Sequence, residues 1–98
     1  MHALVILRYR RPLAEINTIT EADRAYIRRL QGQGIVIAAG PFNPRTGGAL
    51  LVRVSDENSH AVLDRIREEY PFAKAGLANY ELLPCNVMSG LETLDKIR

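Results

Sequence analysis

The stretch Gly34-Ile35-Val36-Ile37-Ala38-Ala39-Gly40-Pro41-Phe42 constrains the rest of this 98-residue chain more than any other. Three consecutive β-branched residues between glycines, followed by a proline that offers no N–H to a ladder, predict a short buried strand ending in a rigid turn. Gly32 and Gly34 are helix stops, so a helix arrives at one end of this strand. At the other end Asn43-Pro44-Arg45-Thr46-Gly47-Gly48 is a turn cluster, so a hairpin leaves it.

The remaining elements fall into place around that strand. His2 to Tyr9 reads as a strand that is apolar at every position from Ala3 to Leu7, and the spacing predicts residues 3–9. Arg10-Arg11-Pro12 and Leu13 to Thr18 read as a loop, since Pro12 biases Arg11 to an extended form and no period follows. Thr20-Glu21-Ala22-Asp23 predicts a helix start with Thr20 as N-cap, and Tyr26, Ile27 and Leu30 supply its apolar stripe. Strands are expected over 35–40 and 49–54. Ser55 is expected to cap a second helix with Val62, Ile66 and Leu63 on its inner side, stopped at Tyr70-Pro71. A short connection, Phe72 to Gly76, then leads to a strand over 77–83 ended by Pro84. Ser89-Gly90-Leu91-Glu92 has the form of a capping box, and Leu91, Leu94 and Ile97 have the spacing of a terminal helix.

This order is β-α-β-β-α-β with a helical tail, an α+β, ferredoxin-like pattern of two split βαβ units around an antiparallel sheet. Right-handed crossovers put both helices on one face of that sheet. The other face should then alternate with polar residues if it meets water, yet Asn79 and Glu81 are the main interruptions. Covering about 500 Å² of apolar sheet is worth on the order of 10 kcal/mol before association costs. A homodimer packed sheet to sheet, with room for higher oligomers, is the expectation.

Composition sets the outer bounds. One domain over 1–98 is expected, with its core in 2–84 and a tail from 85–98, and a chain this short buries roughly 60–65% of its surface. Its 47% hydrophobic and 24% charged residues are globular values. Cys85 is the one cysteine, which excludes an internal disulfide framework and fits a reducing compartment. Ala3 to Leu7 is too short for a signal peptide and no run is long enough for a membrane span, so a cytoplasmic protein is expected. The net charge of +2 does not argue for nucleic acid. It is unevenly spread: residues 1–53 balance at +5 and residues 54–98 at −3, so the first half suits a small anion.

These residues together resemble the YciI-like (YCII-related) proteins: the step from the helix-ending glycine to Ala39-Gly40-Pro41-Phe42, the turn with Gly47-Gly48, the Ser55-led helix and the Tyr70-Pro71-Phe72 stop. The resemblance covers roughly residues 2–84. It implies the dimeric α+β barrel superfamily, which includes muconolactone isomerase. It also implies an active site built from a histidine near the start of the first helix and an aspartate just after the second. Counting back from Gly34 and Gly40, the first of those positions falls on Asp23 here, and the second falls on Tyr70. A His–Asp pair is an oriented base with a pKa near neutrality, whereas Asp23 and Tyr70 need shifted pKa values to act as one.

Each candidate also has a plainer role. Asp23 reads as a helix-capping acid, Tyr70 as an amphipathic residue closing a helix, and His60 as a solvated surface group. His2 either lines a pocket or sits at the sheet rim. Two isolated histidines and a distant cysteine make no metal constellation, no phosphate loop or nucleophile elbow is present, and no cofactor is expected. The expected site is the cleft between the first helix start, the Gly40-Pro41-Phe42 turn and the Tyr70-Pro71-Phe72 stop. Asp23 is its acid, Tyr70 the hydroxyl partner, and Arg10, Arg11 and Arg45 the anion-binding rim. Three readings follow: a lyase or isomerase acting on an anionic cyclic substrate, a ligand-binding dimer without chemistry, and a structural interaction module.

Overall fold

The computed structural model describes residues 1–96. Four strands form one antiparallel sheet: β1 (His2–Tyr9), β2 (Val36–Pro41), β3 (Gly47–Arg53) and β4 (Ala78–Cys85), in the order β2-β3-β1-β4. The helix α2 (Thr20–Gly32) joins β1 to β2, and α3 (Ser59–Glu69) joins β3 to β4. In each case one antiparallel strand lies between the pair that the helix connects. This is the ferredoxin-like arrangement of two interleaved βαβ units.

Burial separates the sheet faces. Ala3, Val5 and Leu7 of β1 are buried with Leu50 and Val52 of β3 and Val36 of β2, and against them pack Tyr26 and Leu30 of α2 and Leu63 and Ile66 of α3. The intervening residues face away from the helices. Leu51, Leu4 and Leu83 stand in one cross-strand row on that open face, with Leu4 39% and Leu83 43% exposed. A leucine row without cover follows from strands that are apolar at successive positions rather than alternate ones.

Several boundaries differ from the sequence expectation for identifiable reasons. Residues Leu13–Asn17, expected as loop, form the short helix α1, because Ile16 is drawn fully into the core. Pro71, expected as a helix stop, and Phe72 to Lys74, expected as part of a connection, form α4 (Pro71–Lys74), with Pro71 in the first turn where its missing N–H has no cost. Thr20 is not a cap: Ile19 is the N-cap, and the Thr20 hydroxyl donates back to the Ile16 carbonyl at 3.1 Å. Ser55 precedes a 3-10 turn (Asp56–Asn58) and makes no side-chain cap bond. Its neighbour Asp56 instead receives the Met1 ammonium at 2.6 Å. Pro84 does not end β4, which runs on to Cys85, since an edge strand tolerates a residue that cannot donate outward.

The tail forms α5 (Leu91–Asp95), begun by Gly90 at φ 86° rather than by a Ser89 side-chain cap. None of its residues is buried, and Ile97 of the expected stripe lies outside the described residues. Gly34 and Gly47 have no substitute at their positions. Gly34 takes φ 77° where α2 turns into β2. At Gly47 an added Cβ would stand 1.9 Å from the Leu7 carbonyl oxygen, because β1 and β3 approach each other there with no room for a side chain.

Candidate active site

A cavity of about 420 Å³ opens between α2, the β2–β3 edge and the start of α4. Asp23 reaches it because it lies on the apolar stripe of α2, three, four and seven residues before Tyr26, Ile27 and Leu30. Packing that stripe against the sheet carries the carboxylate inward, and Asp23 is only 7% exposed. It is therefore not a capping acid, despite its place in the first turns.

Tyr70 arrives from the other side. The α3 helix stops at Glu69, Tyr70 is extended (φ −61°, ψ 119°) ahead of Pro71, and its ring is driven into the core at 1% exposure. It sits edge-on between Tyr26 and Tyr80, with centroids at 5.7 and 5.9 Å. Its hydroxyl donates to the Asp23 carboxylate. The other carboxylate oxygen, Oδ1, is buried without a hydrogen-bond partner.

This environment sets the acidity of both groups. Burial raises the Asp23 carboxyl from its ordinary 3.8 to about 6, against the opposing pull of the Tyr70 hydrogen bond and the Arg24 charge. Burial, then the charge of Asp23, pushes the Tyr70 phenol far above its usual range, so it remains a donor. The pair thus divides its roles. A carboxyl raised to about 6 is able to exchange a proton near neutral pH, while the phenol beside it stays protonated.

Cations gather at one side of the opening. Arg45 donates to Asn17 Oδ1 at 2.9 Å and to Thr20 Oγ1 at 3.2 Å, and its guanidinium lies 5.9 Å from the Tyr9 ring centroid. Arg24 and Arg28 of α2 also line the cavity, as do Gly40, Pro41 and Phe72. Phe72 meets Tyr9 edge-on at 5.6 Å, giving the interior an aromatic wall. Of the expected residues, Asp23, Tyr70, Gly40, Pro41, Arg45 and Phe72 come together here. Arg10, Arg11 and Phe42 are not in the lining: both arginines are exposed, and the Arg10 amide is tied to the Leu77 carbonyl at 2.8 Å.

Sequence reasoning missed Tyr9, Arg24, Arg28 and Ile27. For Tyr9 a signal existed, since it follows Leu7 at the strand period and so shares its face. The arginines of α2 read as a solvated side of the helix, and only the cleft beside them gives them a second neighbour. His60 is exposed, and His2 lies at the opposite end of β1. Among the described residues no three His, Cys, Asp or Glu side chains cluster as metal ligands do, and no helix is long and apolar enough to cross a membrane.

Comparison with known proteins bears on the family and the fold. The model of the YCII-related domain matches residues 2–86. Among solved structures, the chain is similar to 5-chloro-2-hydroxyhydroquinone dehydrochlorinase from Burkholderia phenoliruptrix AC1100, in complex with 2,5-dihydroxybenzoquinone. The TM-score is 0.69 at 21% identity, covering 90% of this chain and 96% of that one, a likeness of fold. No curated protein matches the chain.

Proposed function

This chain belongs to the YCII-related domain family, and from that premise we propose that it is a small-molecule lyase or isomerase acting on an anionic cyclic substrate in the Asp23 cavity. The observation that carries the reading is the Asp23 carboxylate itself. It is enclosed in a cavity wall, oriented by one hydroxyl, left with one oxygen unpartnered, and has its pKa raised to about 6. A group so placed is ionised and ready to accept a proton at pH 7, and its conjugate acid is strong enough to give the proton back.

Asp23 takes a proton from a carbon or hydroxyl of the bound ring, leaving the electron pair in the ring as an enolate. In an isomerisation the same carboxyl returns the proton to another ring atom. In an elimination the electron pair expels a leaving group from the adjacent carbon. The similar dehydrochlorinase makes the second class a fitting comparison. Arg45, with Arg24 and Arg28, holds the substrate's anionic group, and Tyr9 and Phe72 pack its ring.

A second reading rests on one specific observation: Asp23 and Tyr70 occupy the positions where the resemblance implies histidine and aspartate. On it the protein is a ligand-binding homodimer that has kept the cavity and lost the chemistry. One experiment separates the two. The protein is incubated in D2O with a panel of small cyclic enols, lactones and quinones, and each compound is followed by mass spectrometry. Deuterium incorporation or loss of a leaving group, absent in Asp23→Asn, supports catalysis. Binding of a panel member without either change supports the second reading.

A further inference from the structure

Arg45 enters the mouth of the Asp23 cavity from the turn between β2 and β3, and that turn is itself fixed. Across it the Phe42 amide donates to the Gly47 carbonyl at 2.9 Å, and the Tyr9 amide donates to the Thr46 carbonyl at 2.9 Å, tying the turn to the end of β1. From there the side chain crosses to the helices. Nη1 donates to Asn17 Oδ1 at 2.9 Å and Nη2 to Thr20 Oγ1 at 3.2 Å, with the guanidinium carbon 5.9 Å from the Tyr9 ring centroid. The Thr20 hydroxyl directs its one proton to the Ile16 carbonyl at 3.1 Å, so toward Arg45 its oxygen acts only as an acceptor.

Every group that holds this guanidinium is neutral. Among the described residues the arginine ion pairs involve Arg8, Arg24, Arg29 and Arg53, and no carboxylate pairs with Arg45. Two of its five N–H donors are engaged, and the rest lie in the same plane. The other cations of the cavity are set differently. Arg24 and Arg28 are exposed, and Arg24 stands 3.5 Å from the Glu21 carboxylate, whereas Arg45 is half-buried. A guanidinium immobilised by neutral acceptors keeps its whole charge for a ligand, and its ordering cost is met before the ligand arrives. Thr20 and Asp23 are three residues apart on α2, with Cβ atoms about 5–6 Å apart on one face. The anion anchor and the carboxylate are thus separated by about the width of one substituted ring.

We propose, on the reading that Asp23 is the base, that Arg45 is the specificity-determining residue of this cavity, that Asn17 and Thr20 are its positioning residues, and that the site selects single-ring carboxylates. The planar fork of the guanidinium matches the two coplanar oxygens of a carboxylate, and an uncharged amide of the same shape offers it neither the charge nor the second acceptor. Tyr9, behind the guanidinium, and Phe72 then take the ring.

The test is calorimetric titration of the full chain at pH 7 with salicylate and with its uncharged isostere salicylamide. Salicylate should bind at least about tenfold more tightly, and Arg45→Met should abolish the preference. Asn17 is exposed, so its substitution leaves the core intact. Asn17→Ala should weaken salicylate roughly fivefold through lost preorganisation. Asn17→Asp puts a carboxylate where the amide was: it keeps the hold on Arg45 and the melting temperature, but neutralises the charge, and should weaken salicylate more than Asn17→Ala does. A purely structural role for Asn17 gives the reverse order and overturns the assignment. Salicylate that fails to bind at millimolar concentration, binds no better than salicylamide, or binds Arg45→Met as it binds the native chain overturns the proposal as a whole. Deuterium exchange by Asp23 is a separate readout. Exchange on the cyclic panel without a salicylate preference defeats this inference alone, and the preference without exchange defeats only the catalytic reading.

Discussion

The Tyr70 hydroxyl donates to the Asp23 carboxylate, joining the end of α3 to the start of α2, and the Tyr70 ring meets Tyr26 and Tyr80 edge-on. This bond links the two halves of the proposed site, and it makes the pH behaviour of the protein predictable.

Asp23 titrates near 6 in the folded protein and near 3.8 when unfolded. The folded state therefore binds the proton more tightly, and stability falls as pH rises between those values, by at most about 3 kcal/mol. Asparagine has no such dependence. The melting temperature of Asp23→Asn relative to the native chain should thus climb from pH 4 to pH 6 and level off above, by several degrees for a chain of this size. The same variant should lose turnover, so stability and activity move in opposite directions. A difference that is flat with pH, measured by calorimetry, would contradict the assignment.

Tyr70→Phe removes the donor and keeps the ring. A hydrogen bond to the ionised carboxylate holds its pKa down, so its loss should raise Asp23 further, above 6. A carboxyl carbon NMR titration reads this directly. The pH profile of ligand binding or turnover should move upward with it, whereas a role limited to packing would leave both unmoved.

Gly40 and Gly47 of the β2–β3 hairpin should respond in opposite ways to alanine. At Gly47 the new methyl meets backbone of β1, which cannot yield without parting the ladder. A loss of roughly 2–4 kcal/mol is expected for Gly47→Ala. At Gly40 nothing lies within 4 Å of an added Cβ, so Gly40→Ala should fold with unchanged or slightly higher stability. Urea unfolding of the two variants makes the comparison.

The leucine row Leu51–Leu4–Leu83 on the open face is the proposed dimer surface. Light scattering at micromolar concentration should report about twice the 11.0 kDa of one chain. Leu4→Glu places a charge in the middle of that row and should yield a monomer with its helix face intact by circular dichroism. A native chain that scatters as a monomer removes the dimer from the account.

The order of strands and helices was legible from residues 2–84 because its signals are local. Glycines at 32 and 34, the Pro41 stop and the two helical stripes each act within a few residues of themselves. Where local rules failed, a distant partner had won. Ile16 folded a supposed loop into α1 because the core had a place for it, and Pro84 stayed in a strand because β4 is an edge. The site divides in the same way. Asp23 carried a readable sign, an acid on an apolar stripe, and family resemblance pointed to Tyr70. Neither shows that the two meet, since their contact depends on α3 ending over α2, which packing of the whole sheet decides. Tertiary structure alone left Arg10 and Arg11 outside the cavity and brought Arg24 and Arg28 to it. It alone set Arg45 against Asn17 and Thr20. Charge and chemical type belong to single residues and can be read one at a time. Proximity between residues far apart in the chain is a property of the assembled sheet, and it is proximity that removes water and shifts a pKa.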